Sequence, residues 1–97
     1  MQDYGLVSII TPNWNCANLI LETIRSVKAQ TYQNWEIIIV DDCSTDNSNK
    51  VVESYMAEDG RIRFLKNDKN FGAALSRNYA LREARGRWIA FLDSDDL

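Results

Sequence analysis

Apolar and polar positions alternate along the chain in blocks that predict four strands separated by three helices. The predicted strands are short apolar runs, and they cover residues 6–10, 37–40, 62–65 and 88–92. The predicted helices have apolar side chains at helical spacing, and they cover residues 18–30, the segment from residues 44–46 to Gly60, and residues 71–85. Pro12 is expected to end the first strand, because proline cannot donate a ladder hydrogen bond.

Each predicted helix has an apolar stripe that is expected to face a sheet. The stripes consist of Ile20, Ile24 and Val27 in the first helix, Val51, Val52, Tyr55 and Met56 in the second, and Ala74, Leu75, Leu81 and Ala84 in the third. Asn18 is the expected N-cap of the first helix, and Gly86 is the expected stop of the third.

The alternation of strands and helices predicts an α/β fold with a parallel sheet and helices on both faces. The run 37–40 is wholly β-branched, which is typical of a strand buried on both sides, whereas 62–65 contains Arg63 and suits an edge. The predicted strand order is therefore 3-2-1-4. Ligands of such sheets bind at the carboxyl ends of the strands beside the switch between strands one and four.

Three polar clusters follow three of the predicted strands directly. They are residues 11–15 (TPNWN), 41–46 (DDCSTD) and 93–96 (DSDD). The parallel sheet brings all three to one edge, and their convergence is a more specific signal than any single cluster. Asn15 is expected to serve as a turn residue.

Asp93 and Asp95 form the most chemically suggestive pair. In an extended segment their side chains point to the same side, so both can face one cation. Oxygen ligands favour magnesium, manganese or calcium. The alternative is a solvated acidic turn after a buried strand.

The other candidate residues each have two interpretations. One carboxylate of Asp41 and Asp42 can accept from a nucleobase or a ribose, or the pair can cap the following helix. Trp14 either stacks on a nucleobase or lies half-buried under the sheet edge. Arg77 either contacts a phosphate or forms a structural salt bridge.

The composition excludes several classes of function. The chain has 97 residues, with 11 Lys+Arg against 14 Asp+Glu, a net charge of −3 and no histidine. Without histidine, the Ser-His-Asp and Cys-His mechanisms are impossible, and metal chemistry must rest on carboxylates. The acidic balance argues against nucleic acid as a partner. A cytoplasmic protein is expected, because there is no signal peptide, no apolar run of about 20 residues and no CxxC pair.

Four segments resemble glycosyltransferases of family 2, which have the GT-A fold. Residues 7–15 (VSIITPNWN) resemble the family's VSIIIPxYN, and 36–46 (EIIIVDDCSTD) its EIIIVDDGSTD. Residues 76–78 (SRN) resemble its ARN, and 86–96 (GRWIAFLDSDD) its GEYIxFLDSDD. The match spans the chain in order, and it implies the Rossmann-like half of a GT-A fold.

The resemblance implies an inverting enzyme that transfers a sugar from a nucleotide-diphosphate donor. Trp14 and Pro12 would line the nucleotide pocket, Asp42 would hold the base, and Asp93 would lie near the ribose and the metal. Asp95 would ligate the divalent cation, Mn²⁺ or Mg²⁺, that bridges the diphosphate. Cys43 stands where the family usually has glycine, and Trp14 where it usually has tyrosine.

The resemblance also implies that residues 1–97 are the donor-binding half, truncated just after the DxD motif. Family members continue into a part that binds the glycan or lipid-linked acceptor and supplies the general base. The chain by itself is therefore expected to be inactive. Self-association through the fourth strand is also expected, because its residues 88–92 are apolar on both sides and no further strand covers its edge. The full-length protein is expected to be cytoplasmic, with peripheral attachment to the membrane as an alternative.

Two other functions compete with this one. A signalling receiver domain also has alternating strands and helices with clustered carboxylates, but it needs its acidic pair after the first strand. A non-catalytic module that binds a nucleotide sugar or a divalent metal would differ from the enzyme only in the missing half.

Overall fold

The computed structural model describes residues 4–92 as four strands and three helices. The elements in chain order are β1 (Val7–Asn13), α1 (Ala17–Lys28), β2 (Trp35–Asp41), α2 (Ser48–Glu58), β3 (Ile62–Lys66), α3 (Ala73–Glu83) and β4 (Trp88–Phe91). None of the helices in this part of the chain is long and apolar enough to cross a bilayer.

The four strands form one parallel sheet in the order β3-β2-β1-β4, as predicted. All seven residues of β2 are buried, which agrees with the β-branched run at its centre. The charged strand β3 lies at one edge and β4 at the other. The switch of strand order therefore lies between β1 and β4.

Helices cover both faces of the sheet, and each face has its own core. On one face, α1 and α2 pack against Ile9 of β1, Ile37 and Ile39 of β2, and Ile62 of β3. On the other face, Ala80 of α3 packs with Ile10, Ile38 and Val40. The predicted stripe of α1 is confirmed, because Ile20, Ile24 and Val27 are all buried.

The predicted inward face of α3 is wrong. Its buried residues are Ser76 and Ala80, whereas Ala74, Leu75 and Leu81 are exposed. Small side chains let the helix backbone lie close to the sheet, and this contact turns the larger leucines outward. Ala84 does pack against the core, just beyond the end of α3. In α2, Val52 is buried as predicted, but Met56 is exposed.

The sequence predicts that Pro12 ends the first strand, but β1 continues to Asn13. Asp42 donates its backbone N–H to Asn13 O at 2.9 Å, so Asn13 directs its backbone toward β2. Successive residues alternate in direction, so Pro12 faces the side of β4, whose described pairing ends at Ile10 and Phe91. The ladder between β1 and β2 therefore loses no donor at Pro12.

The first helix begins at Ala17, with Cys16 as its N-cap residue, so the predicted cap Asn18 lies inside the helix. The N–H of Ala17 donates instead to Asp46 Oδ2 at 3.2 Å. A carboxylate from the loop after β2 therefore satisfies the start of α1.

A buried polar network joins the strands at the amino-terminal end of the sheet. Glu36, 6% exposed, accepts from Ser8 Oγ at 2.6 Å, from Arg63 Nη1 at 3.1 Å and from the Arg85 N–H at 2.8 Å. The Gly86 N–H donates to Ser8 Oγ at 2.8 Å. The network fixes the entry of the chain into β4.

Candidate functional site

The loops that follow β1, β2 and β3 meet at the carboxyl end of the sheet. Besides the bond between Asp42 and Asn13, the Asn67 N–H donates to Asp41 O at 2.8 Å. Two of the three predicted polar clusters, 11–15 and 41–46, therefore lie together at this edge. The third, 93–96, lies outside the described residues.

Asp41 is buried and holds the loop that follows β2. Its Oδ1 accepts from Asn13 Nδ2 at 3.1 Å and from Ser44 Oγ at 2.5 Å, and its Oδ2 accepts from the Ser44 N–H at 2.9 Å. These bonds make Asp41 a turn residue. They do not cap the following helix, because α2 begins at Ser48 with Asn47 as its N-cap residue, so the predicted capping role is not found for Asp41.

Asp42, 5% exposed, joins the loop after β2 to the start of α3. Its Oδ1 accepts from Asn67 Nδ2 at 2.9 Å and the Phe71 N–H at 2.7 Å, and its Oδ2 accepts from the Gly72 N–H at 2.8 Å. Burial by itself raises the pKa of Asp42, but these hydrogen bonds outweigh it and lower the pKa below the usual range. Asp42 is therefore a carboxylate held ionised at the edge of the sheet.

Asn15 locks the first loop to the second. Its backbone has φ +50°, and its Oδ1 accepts from the N–H groups of Thr45 at 2.7 Å and Asp46 at 3.2 Å. The predicted turn role of Asn15 is confirmed. Asp46 also accepts from Ser48 at the start of α2; burial raises the pKa of Asp46, but these hydrogen bonds outweigh it and lower the pKa.

Cys43 has φ +63°, in the left-handed region that glycine favours. The backbone therefore keeps the conformation that the family's glycine would adopt, although a cysteine stands there. Its side chain is exposed.

The remaining predicted site residues differ in their accessibility. Trp14 leaves 53% of its surface exposed, Pro12 is buried in β1, and Arg77 is half-buried on α3. Asp93 and Asp95 lie outside the described residues. Within residues 4–92, no cluster of three or more acidic or cysteine side chains could hold a metal ion.

Sequence reasoning missed two asparagines at this edge. Asn67 directly follows β3 and bridges Asp42 and Ser76 Oγ, the latter at 2.9 Å. Asn70 lies between Asp42 and Trp14 and can bond both side chains. The signal for Asn67 was its place at the carboxyl end of a strand, the rule that singled out the other clusters.

A groove of about 600 Å³ begins at Asn67 and runs along the exposed face of α3. Phe71, Leu75 and Tyr79 line it together with the cations Lys66 and Arg82. Leu75, which was predicted to face the core, therefore lines this open groove.

The family model described as "Glycosyl transferase family 2" matches residues 8–97. The chain belongs to this family. It is 52% identical over 98 residues to WfgD of Escherichia coli, a UDP-Glc:alpha-D-GlcNAc-diphosphoundecaprenol beta-1,3-glucosyltransferase, and the match covers 100% of the chain and 37% of WfgD. It is 40% identical to the glycosyltransferase GlyG of Streptococcus pneumoniae, over 95% of the chain and 31% of GlyG. The chain thus spans about a third of these relatives.

Solved structures of GT-A glycosyltransferases share the fold. The mannosyltransferase PcManGT from Pyrobaculum calidifontis, in complex with GDP-Man and Mn²⁺, superposes with a TM-score of 0.89 at 28% identity, over 97% of this chain and 28% of that one. S. aureus TarS 1–349 in complex with UDP gives 0.84 at 34% identity, over 92% and 27%. The predicted family and fold are confirmed, and the receiver alternative is set aside.

Proposed function

We propose that this chain is the donor-binding part of an inverting glycosyltransferase that uses a nucleotide-diphosphate sugar. One observation carries the proposal. An exposed indole, Trp14, and a buried ionised carboxylate, Asp42, meet at the carboxyl end of the sheet. Nucleotides of neighbours with this fold, GDP-Man and UDP, support the donor class.

Each predicted nucleotide-binding residue has a proposed task. Trp14 contacts the base, and Pro12 supports that loop from its buried position in β1. Asp42 accepts a hydrogen bond from the base. Arg77, on the helix that starts at Ala73, contributes positive charge for the diphosphate, and Asp93 contacts the ribose.

The proposed cofactor is Mn²⁺ or Mg²⁺, held by Asp95 with help from Asp93. The Leu92 N–H bonds Ile10 O at 3.0 Å, so the chain is paired with β1 up to the residue before Asp93. The carboxylate oxygens of Asp93 and Asp95 suit a hard cation, which would neutralise the charge of the diphosphate. The Mn²⁺ complex of PcManGT supports the choice of cation.

Calorimetric titration of UDP and GDP, with and without MnCl₂, tests this proposal. We expect metal-dependent binding that Asp95→Ala abolishes and that the control Glu22→Ala, on the exposed side of α1, leaves unchanged. Equal binding by wild type and Asp95→Ala would refute the metal assignment. Lack of binding by the wild type would refute donor binding.

We propose a lipid-linked glycan intermediate as the acceptor of the full-length protein, at the cytoplasmic face of a membrane, in polysaccharide biosynthesis. The diphosphoundecaprenol acceptor in the name of WfgD supports this class. The peptide 1–97 should not transfer sugar alone, because Asp41, Asp42 and Asp46 are all occupied by internal hydrogen bonds. Transfer by the isolated peptide would contradict this expectation.

Self-association of the peptide 1–97 is a further part of the proposal. Trp88, Ile89 and Phe91 of the edge strand β4 are between 41% and 56% exposed. An apolar edge with unpaired backbone groups favours pairing with a second chain. Light scattering at high concentration should show dimers, and a monomer throughout would contradict this.

A further inference from the structure

Asn70 connects Asp42 to Trp14 through the two ends of its amide. With the nitrogen toward Asp42, Asn70 donates to Asp42 Oδ2 at 2.9 Å, and its oxygen accepts from Trp14 Nε1 at 3.1 Å. This orientation is assigned because it gives both partners a complementary group. The indole N–H is only a donor, so it needs the amide oxygen.

Asn70 is the replaceable donor among the groups that bond Asp42. Phe71 and Gly72 donate from the backbone, and Asn67 is also held by Ser76. Asn70 is exposed and bonds through its side chain. A carboxylate has about four acceptor positions, so these four donors fill Asp42. A base that bonds Asp42 must therefore displace one of them.

We infer that the Asn70 amide holds the nucleobase position on Asp42 and that a base carrying an N–C=O edge displaces it. This inference rests on the proposed donor binding. Uracil N3–H with O4, and guanine N1–H with O6, present the same donor and acceptor on one carbon as the Asn amide. They can therefore replace both bonds of Asn70, to Asp42 and to the Trp14 indole. Cytosine and adenine also carry a donor and an acceptor on one carbon, but their donor is the exocyclic amine and their acceptor is a ring nitrogen. To make both bonds, their ring must lie on the Trp14 side of the site, whereas the ring of uracil or guanine lies on the Asp42 side.

The exchange also predicts how Trp14 meets the base. Its indole N–H is directed at the amide oxygen, so the base carbonyl takes that hydrogen bond when it arrives. Trp14 then contacts the edge of the base rather than stacking on its face. The Trp14 N–H therefore reports directly on the exchange.

The test follows the Trp14 indole resonance in ¹⁵N-labelled peptide 1–97, with Trp14→Phe to assign the peak. Asn70→Ala should shift that peak without nucleotide, while the peaks of Trp35 and Trp88 stay in place and verify folding. Because the competing amide is gone, Asn70→Ala should bind UDP with Mg²⁺ about three- to tenfold more tightly than the wild type. Asn18→Ala, an exposed position on α1, should change neither quantity.

The second part of the test compares nucleotides that differ in their base. UDP and GDP should bind at least tenfold more tightly than CDP and ADP to the wild type. Weaker UDP binding by Asn70→Ala, an unmoved Trp14 peak, or equal binding of all four nucleotides would each overturn the inference while leaving donor binding intact. If no nucleotide binds to either protein, the proposed function fails and the exchange fails with it.

Discussion

The two ends of the sheet both bury a carboxylate, but they stabilise its negative charge in different ways. At the amino-terminal end, Glu36 is paired with the guanidinium of Arg63 at 3.1 Å and lies in a closed network. At the carboxyl end, Asp42 is held by amide N–H groups from a side chain and from the backbone at the start of α3. One end balances charge with charge, and the other solvates charge with dipoles.

This difference separates a structural end from a binding end. An ion pair fixes its partners and leaves little for a ligand, whereas a carboxylate held by dipoles keeps its negative charge for a proton donor. The carboxyl end also exposes Trp14 and Phe71, while the amino-terminal network is closed by Gly86 against Ser8. Stability and nucleotide binding should therefore respond to different substitutions.

The largest effect is expected at Gly86. A Cβ there would lie 2.5 Å from Ser8 Oγ and 2.6 Å from the Ser8 backbone nitrogen, so Gly86→Ala forces the strand entry apart. We expect a loss of about 3 kcal/mol in the free energy of unfolding, measured by urea titration. Gly60→Ala is the matched control, because nothing lies within 4 Å of its Cβ position. Equal stability of the two variants would contradict the closed network.

The next effect concerns Glu36. Glu36→Gln leaves the Arg63 guanidinium without its carboxylate, at a cost of roughly 2–3 kcal/mol in the free energy of unfolding. The control Glu53→Gln breaks the exposed pair with Lys66 and should cost under about 0.5 kcal/mol. Nucleotide affinity should be unchanged in the folded fraction of Glu36→Gln. A loss of affinity would show that the two ends are coupled.

Acid should destabilise both ends. The pKa values of Glu36 and Asp42 are lowered in the folded state, because hydrogen bonds outweigh burial, which raises them. The stability from these groups is therefore complete above their unfolded pKa values of about 4 and is lost as the pH falls through the folded values.

Asp59 defines the pH range over which part of the folding stability is lost. Its hydrogen bond with the Arg61 side chain lowers the pKa of Asp59 to about 2. The urea midpoint should therefore fall between pH 4 and pH 2, and Asp59→Asn should fall less steeply over that interval. An unchanged midpoint from pH 7 to pH 2 would contradict the expectation.

The topology could be predicted from the sequence because apolar character determines which strands lie inside a sheet. The run 37–40 required a central strand, and Arg63 required an edge for 62–65. Parallel pairing then predicted that the polar loops lie together at the carboxyl end of the sheet.

The missed features depend on contacts between residues far apart in the chain. Gly86 and Ser8 are 78 residues apart, and nothing local in either segment indicates that they touch. The face of α3 was mispredicted because small Ser76 and Ala80 pack closely, whereas pattern reasoning assigns the core to the leucines. The amide of Asn70 had no periodic signal, since its partners Trp14 and Asp42 come from other loops.

The smallest effect is expected at Cys43, on the binding side of the comparison. A side chain at φ +63° crowds its own backbone, at a cost of about 1 kcal/mol, and glycine removes that crowding while adding freedom to the unfolded chain. We therefore expect Cys43→Gly to raise the free energy of unfolding by roughly 0.5 kcal/mol. Cys16→Gly, at φ −125°, has no such strain to relieve and should lower it. Because the turn conformation is already the one glycine prefers, nucleotide affinity should stay the same in Cys43→Gly. A changed affinity would show that the thiol itself, and not the turn, contributes to this edge.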